Sequence, residues 1–299
     1  MKIVETNNLC KKYGGQLVID HVNMHIEEKM IYGFVGENGS GKTTIMRLLT
    51  GLAEPTEGSY LLFGVDYKDP KIYKARRQVS AIVEIPSLIP TLTAVDNIIY
   101  QEKYLGLKLT SEEREGLLKK VHLTNIEKKK VKNFSLGMRQ RLGIALSLLA
   151  KPKLLLLDEP MNGLDPEGIV ELRELLISLN KNDGITILIS SHILSELEKI
   201  ATNYGFISHG KLLEEISYED LQKKCRKSIA LKVGNVAKAE QILKNYKDFD
   251  ISPNGEIHIF DNVKISDVVA KFSEAEVLNI NSNDESVEDY YLSLVKGGN

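Results

Sequence analysis

Along the first 35 residues the apolar positions come in short alternating pieces, Lys2-Ile3-Val4-Glu5 and Val22-Asn23-Met24-His25-Ile26, separated by Gly14-Gly15. Alternation with period two around a glycine turn predicts antiparallel strands. The pattern then changes to unbroken apolar runs at Met30–Val35, Val79–Val83, Leu154–Leu157 and Ile185–Ile189. Runs of this length, with turn residues around them, predict strands buried on both faces. Helical periods lie between them. Ile45–Leu49 opens one helix, and Ile169, Leu172, Leu176 and Leu179 share one face of another that begins at Pro166. Strands alternating with helices predict an α/β fold with a parallel sheet core, preceded by an antiparallel β subdomain.

From Glu84 to Lys151 the strand signal is absent. Thr93 with Asp96, and Thr110 with Glu113, carry the spacing of a helix start closed by a side chain three positions on. Ser135-Leu136-Gly137-Met138-Arg139-Gln140 opens an amphipathic helix through Leu142, Ala145, Leu146 and Leu149. An inserted helical subdomain over about 85–150 is expected. Beyond Gly210 the order of short elements reads β-α-β-β-α-β, with a closing helix at Glu285–Val295. That is the split βαβ arrangement, so a small C-terminal accessory α+β domain is expected over 213–299, after a first domain over 1–212.

Composition narrows the partners. The chain has 299 residues, 39 Lys+Arg against 41 Asp+Glu, and a formal charge of −2, so no basic face for nucleic acid is expected. The lysines around Lys128–Lys132 read as a solvated face. Two distant cysteines, Cys10 and Cys225, fit neither a disulfide framework nor metal-ligand spacing and point to a reducing cytoplasm. The N-terminus shows no apolar leader and no run reaches the roughly 18 apolar residues of a membrane span. Work at a membrane would then proceed through another chain.

The chemistry concentrates at strand ends. Gly36-Glu37-Asn38-Gly39-Ser40-Gly41-Lys42-Thr43-Thr44 fits the phosphate-loop spacing between a buried strand and a helix. Its glycines let successive N–H groups turn inward as an anion nest, and the helix N-terminus adds partial positive charge. Lys42 would reach the β- and γ-phosphates and Thr43 would take a position on Mg²⁺. The strand ending in Asp158-Glu159 delivers two carboxylates to the same sheet edge, Asp158 for the metal and Glu159 for a water in line with the γ-phosphate. His192 follows the next strand and returns to that edge, where a neutral imidazole can bond a γ-phosphate oxygen.

Taken in order, the phosphate loop, Ser135-Leu136-Gly137-Met138-Arg139-Gln140, Asp158-Glu159, Asn162-Gly163-Leu164-Asp165 and His192 resemble an ATP-binding-cassette ATPase over roughly residues 1–210. The resemblance implies a P-loop ATPase fold and a head-to-tail dimer with ATP between protomers. The signature residues Ser135, Gly137 and Gln140 would then meet the partner's nucleotide, with Asp165 in the loop crossing between sites. Tyr13 matches the adenine-stacking aromatic, an edge tyrosine of the strand being the plain alternative. Two departures stand out. The usual Leu-Ser-Gly-Gly-Gln signature is Phe134-Ser135-Leu136-Gly137-Met138 here, and Glu84 replaces a glutamine that links the catalytic site to the membrane subunit. A glutamate there can still ligate Mg²⁺ and accept from water but, when ionised, cannot donate. This combination resembles the branch exporting bacitracin and lantibiotic peptides for resistance or self-immunity. The resemblance implies a cytoplasmic ATPase at the inner face of the membrane, working with separate membrane-spanning permease subunits, as a homodimer or with a related ATPase subunit. An importer ATPase with an accessory domain, an exporter for another substrate, and a non-transport member acting in translation or on DNA stay open as alternatives.

Overall fold

The computed structural model describes residues 1–126, 128–225, 228–252, 255–261, 263–283 and 286–297. The chain divides into two compact units, Met1–Tyr218 and Glu219–Asn299. The division falls beyond the 212/213 boundary expected from the sequence, because Lys211–Ser217 is a strand of the first unit's main sheet.

That main sheet has six strands in the order Lys211–Ser217, Asn203–Ser208, Ile31–Val35, Thr186–Ser191, Leu154–Asp158, Val79–Ile82. Every neighbouring pair is parallel except the first, where Lys211–Ser217 runs antiparallel along one edge. The four leucines Leu154–Leu157 are all fully buried. Each contributes on the order of 2 kcal/mol by leaving water, which holds this strand wholly inside the core. The helices Lys42–Thr50 and Pro166–Asp183 supply the covering layers; Gly184 ends the second in the left-handed conformation that a side chain would strain.

An antiparallel sheet built on Lys2–Tyr13 precedes the core. It pairs with Gln16–Val22, His25–Glu27 and Glu57–Leu62, and Glu57–Leu62 pairs in turn with Val65–Asp66. The sequence predicted two short pieces where the structure has one long strand and a break at Asn23-Met24. Register shifts near Leu9, Cys10 and Lys11 interrupt the alternation there, and a bulge of that kind erases the period-two signal.

In the inserted region the helices are Ala94–Leu105, Ser111–Lys120 and Leu136–Leu148. Both expected capping boxes form: Thr93 and Thr110 each accept from the backbone three residues on, and Asp96 and Glu113 reach back. Ser135 caps the third helix by accepting from the Met138 N–H.

The second unit has four strands in the order Phe249–Ile251, Ile257–Ile259, Ser228–Val233, Val277–Asn283, all antiparallel. The helices Val236–Leu243 and Ile265–Phe272 cover its apolar face through Ala239, Leu243, Val268 and Phe272. The closing helix spans Val287–Gly297; the Glu285 start expected from the sequence lies outside the described residues.

Candidate ATP site

Three neighbouring parallel strands end together: Ile31–Val35 leads into the phosphate loop, Leu154–Asp158 into Glu159, and Thr186–Ser191 into His192. Open α/β sheets bind ligands beyond their strands' carboxyl ends, and the chemistry gathers here for that reason.

The loop is shaped by its glycines. A Cβ on Gly36 would be driven into the Ile207 carbonyl oxygen, and one on Gly41 into the Ile19 side chain. Gly39 and Gly41 also have φ of 82° and 112°, backbone that L side chains rarely adopt. Gly41 caps the helix Lys42–Thr50 without any side-chain bond to the first turn, so the orphan N–H groups of that turn face the loop. Ser40 is buried, and among the described residues its Oγ has no hydrogen-bond partner. A buried hydroxyl in a nest of N–H groups is what a phosphate oxygen would satisfy. Asn38 and Gly39 are exposed at the tip of the loop, and Thr44 is half-buried one residue past Thr43.

Lys42 is 5% exposed, and its Nζ donates to the Gly36 and Glu37 carbonyl oxygens at 2.6 and 3.1 Å. It also lies 3.2 Å from Glu159 Oε1, an ion pair without hydrogen-bond alignment. Thr43 Oγ1 donates to Asp158 Oδ2 at 2.6 Å. These are two hard oxygens side by side at the helix end, a donor set suited to a small divalent cation. Ser190 Oγ donates to the other carboxylate oxygen of Asp158 at 2.7 Å and accepts from the Glu159 N–H at 2.9 Å. One fully buried hydroxyl thus sets both acids.

Glu159 has φ of 48°. A non-glycine residue in this region costs on the order of 1 kcal/mol, and here the turn redirects the carboxylate out of the strand's line. His192 Nδ1 lies 2.7 Å from Glu159 Oε2; since a carboxylate only accepts, the imidazole donates. The structure therefore brings Lys42, Thr43, Asp158, Glu159 and His192 together.

Other expected residues lie differently. Glu84, at φ 68°, is 62% exposed and ion-paired with Arg47 of the loop's helix. Tyr13 is 45% exposed beside the Gly14-Gly15 hairpin, with Lys11 Nζ 4.8 Å over its ring. Asp165 caps the helix Pro166–Asp183, its Oδ1 accepting from the Gly168 N–H. Ser135 is exposed at its helix end and Gly137 is buried. Gln140, like Gly137 and unlike Ser135, is buried: it is 6% exposed and lines a cavity of ≈ 680 Å³ together with Thr43, Glu84, Asp158 and Glu159 of its own chain. Five residues along a helix is about 140° around the axis, so Ser135 and Gln140 cannot share a face. Arg47 and Ser190 were not foreseen; the signal for Ser190 was a hydroxyl closing an otherwise apolar strand.

Fold and site define a phosphate-loop nucleotide-binding protein. A family model described as ABC transporter matches residues 19–162. The bacitracin transport ATP-binding protein BcrA of Bacillus licheniformis is 41% identical over 99% of this chain and 98% of its own length. The lantibiotic transport ATP-binding protein SrtF of Streptococcus pyogenes is 46% identical over 73% of this chain and 92% of its own. A dimeric post-hydrolysis state of an ATP-binding cassette bound to ADP and Pi superposes with a TM-score of 0.63 at 27% identity, over 72% of this chain and 98% of that one. The chain belongs to the ABC transporter family of ATP-binding proteins. It binds and hydrolyses ATP.

Proposed function

We propose that this chain is the ATPase subunit of an exporter that removes peptide antibiotics of the bacitracin or lantibiotic kind, for resistance or self-immunity. The observation that carries this reading is the end-to-end match to a bacitracin transport protein, which includes the C-terminal unit as well as the cassette. Among the described residues no helix is long and apolar enough to cross a membrane, so the reading assigns translocation to separate permease subunits, with this chain at the inner face of the membrane. A groove of ≈ 450 Å³ between the sheet edge and the helical insert, with Leu52, Ile85 and Pro86 in its wall, supports permease docking there. We assign residues 1–212, extended to Tyr218, to the ATPase domain and the remainder to an accessory domain.

In this reading the Gly36–Thr44 loop and Lys42 hold the phosphates, Ser40 closes on a phosphate oxygen, and Tyr13 stacks on adenine. Thr43 and Asp158 would hold Mg²⁺, and Glu84, which lines the same cavity, would be a further ligand; the ion would supply neutralisation of the charge on the phosphates. Glu159 accepts a proton from water as the water oxygen attacks the γ-phosphorus. The bond to the bridging oxygen breaks, ADP leaves with that electron pair, and inorganic phosphate is released. With its Nδ1–H on the Glu159 carboxylate, a neutral His192 has no second N–H for a γ-phosphate oxygen, so its role in this reading is to fix Glu159. Ser135 and Gly137 complete the partner protomer's site in a head-to-tail dimer, and Asp165 holds the crossing loop.

The test is expression with the adjacent membrane-protein genes in a sensitive host. Raised tolerance of bacitracin or a lantibiotic, lost with Glu159→Gln, is the expected outcome. Unchanged tolerance of all such peptides by an expressed, ATP-hydrolysing complex would send the cargo assignment elsewhere.

A further inference from the structure

Gln140 is more than nine-tenths buried, and among the described residues its Oε1 has no hydrogen-bond partner. The atom belongs to a side chain lining the cavity that also holds Thr43, Asp158 and Glu159. Leaving a buried amide oxygen unpaired is costly, so its retention calls for a partner that the protein's own groups do not supply. The cavity explains the residue type. Its polar wall carries Glu84, Asp158 and Glu159. A further carboxylate would repel them and a cation would neutralise them, whereas a carboxamide donates to a carboxylate and accepts from water at once.

We propose that Gln140 is a water-positioning residue for ATP hydrolysis in its own chain: its carboxamide orders the water from which Glu159 takes the proton. The proposal rests on Glu159 being the base. It gives one helix two tasks. The N-terminal end presents Ser135 outward, while Gln140, about one and a half turns further on, reports on the chain's own cavity. A shift of this helix therefore moves the group that orders water here together with the group offered to the neighbouring site.

Full-length Gln140→Met and Gln140→Glu variants test this, with Glu159→Gln measured alongside. Methionine matches glutamine in length and helix propensity, and it removes an unpaired buried polar atom. Gln140→Met is expected to lose about 10- to 100-fold in kcat, with the KM for ATP within about twofold and Tm unchanged or higher. Gln140→Glu is expected to retain activity at acid pH, where the protonated acid still donates and accepts, and to lose it as pH rises. Wild-type kcat in Gln140→Met, a joint fall of kcat and Tm, a matching rise in KM, or a wild-type pH profile in Gln140→Glu would overturn the proposal. Full activity of Glu159→Gln would instead overturn the assignment of the base, a result distinguishable from failure at Gln140.

Discussion

His192 and Glu159 form one unit: the imidazole Nδ1 lies 2.7 Å from Glu159 Oε2, and the remaining oxygen of that carboxylate is turned towards Lys42 at 3.2 Å. The acid is thereby held from both sides at the end of a strand, in a backbone conformation that only surrounding contacts maintain. Its orientation is a property of the site rather than of the side chain.

Removing the imidazole should therefore act through Glu159. His192→Ala is expected to lower kcat about 10- to 100-fold, with a smaller change in the KM for ATP, measured by phosphate release under steady state. A large rise in KM at constant kcat would mean that His192 serves ground-state binding and not the orientation of the acid.

Replacing the acid itself separates binding from chemistry. Glu159→Gln keeps the shape and the acceptor facing His192 but cannot take a proton, so turnover should fall by about 10²- to 10⁴-fold while ATP binding persists. In light scattering, the variant with ATP should accumulate dimers that wild type loses on hydrolysis. Near-wild-type phosphate release by Glu159→Gln would remove the residue from the role of base.

Much of this site could be read in the residues before their coordinates, and the reason is local. A phosphate loop is a contiguous signature, and Asp158, Glu159 and His192 each follow an apolar strand whose carboxyl end a parallel sheet must bring to one edge. What stayed hidden depends on side-chain direction and register. The family signature groups Gln140 with Ser135, and it carries no sign that the helix buries the Gln140 side chain while leaving Ser135 exposed. Arg47 pairs with Glu84 across 37 positions, which no spacing rule connects. The strand Lys2–Tyr13 escaped because its bulges break the alternation, and Lys211–Ser217 because its half-buried edge pattern lacks the apolar run of the central strands.

Ser190 offers a test of how the two acids are coupled. Its hydroxyl donates to Asp158 and accepts from the Glu159 backbone, so it orients a proposed metal ligand without touching the metal. Outer partners of this kind typically contribute about 10- to 100-fold in metal affinity. Ser190→Ala is expected to raise the Mg²⁺ concentration for half-maximal hydrolysis by about tenfold, with activity recovered at high Mg²⁺. A chelator should abolish hydrolysis in both proteins. An unchanged Mg²⁺ titration in Ser190→Ala would show that Asp158 needs no such support.

The helical insert has its own acid sensitivity. Glu102 is 3% exposed and receives Arg114 Nε at 2.8 Å and Nη2 at 2.9 Å, with the Leu109 N–H at 3.3 Å. The Arg114 hydrogen bonds hold its carboxyl below the usual value, against the opposing effect of burial. A carboxyl whose folded pKa is depressed contributes stability above its unfolded pKa of about 4.3 and loses that contribution as pH falls through the folded value. Below both values the protonated acid leaves Arg114 without its charged partner. Tm should therefore drop more steeply below about pH 4.3 in wild type than in Glu102→Gln, which starts lower at neutral pH and has no such proton to bind. Parallel thermal melts from about pH 3 to 7 decide the matter. Equal acid slopes in the two proteins would mean that this ion pair adds nothing to the stability of the insert, and that the acid response originates elsewhere in the chain.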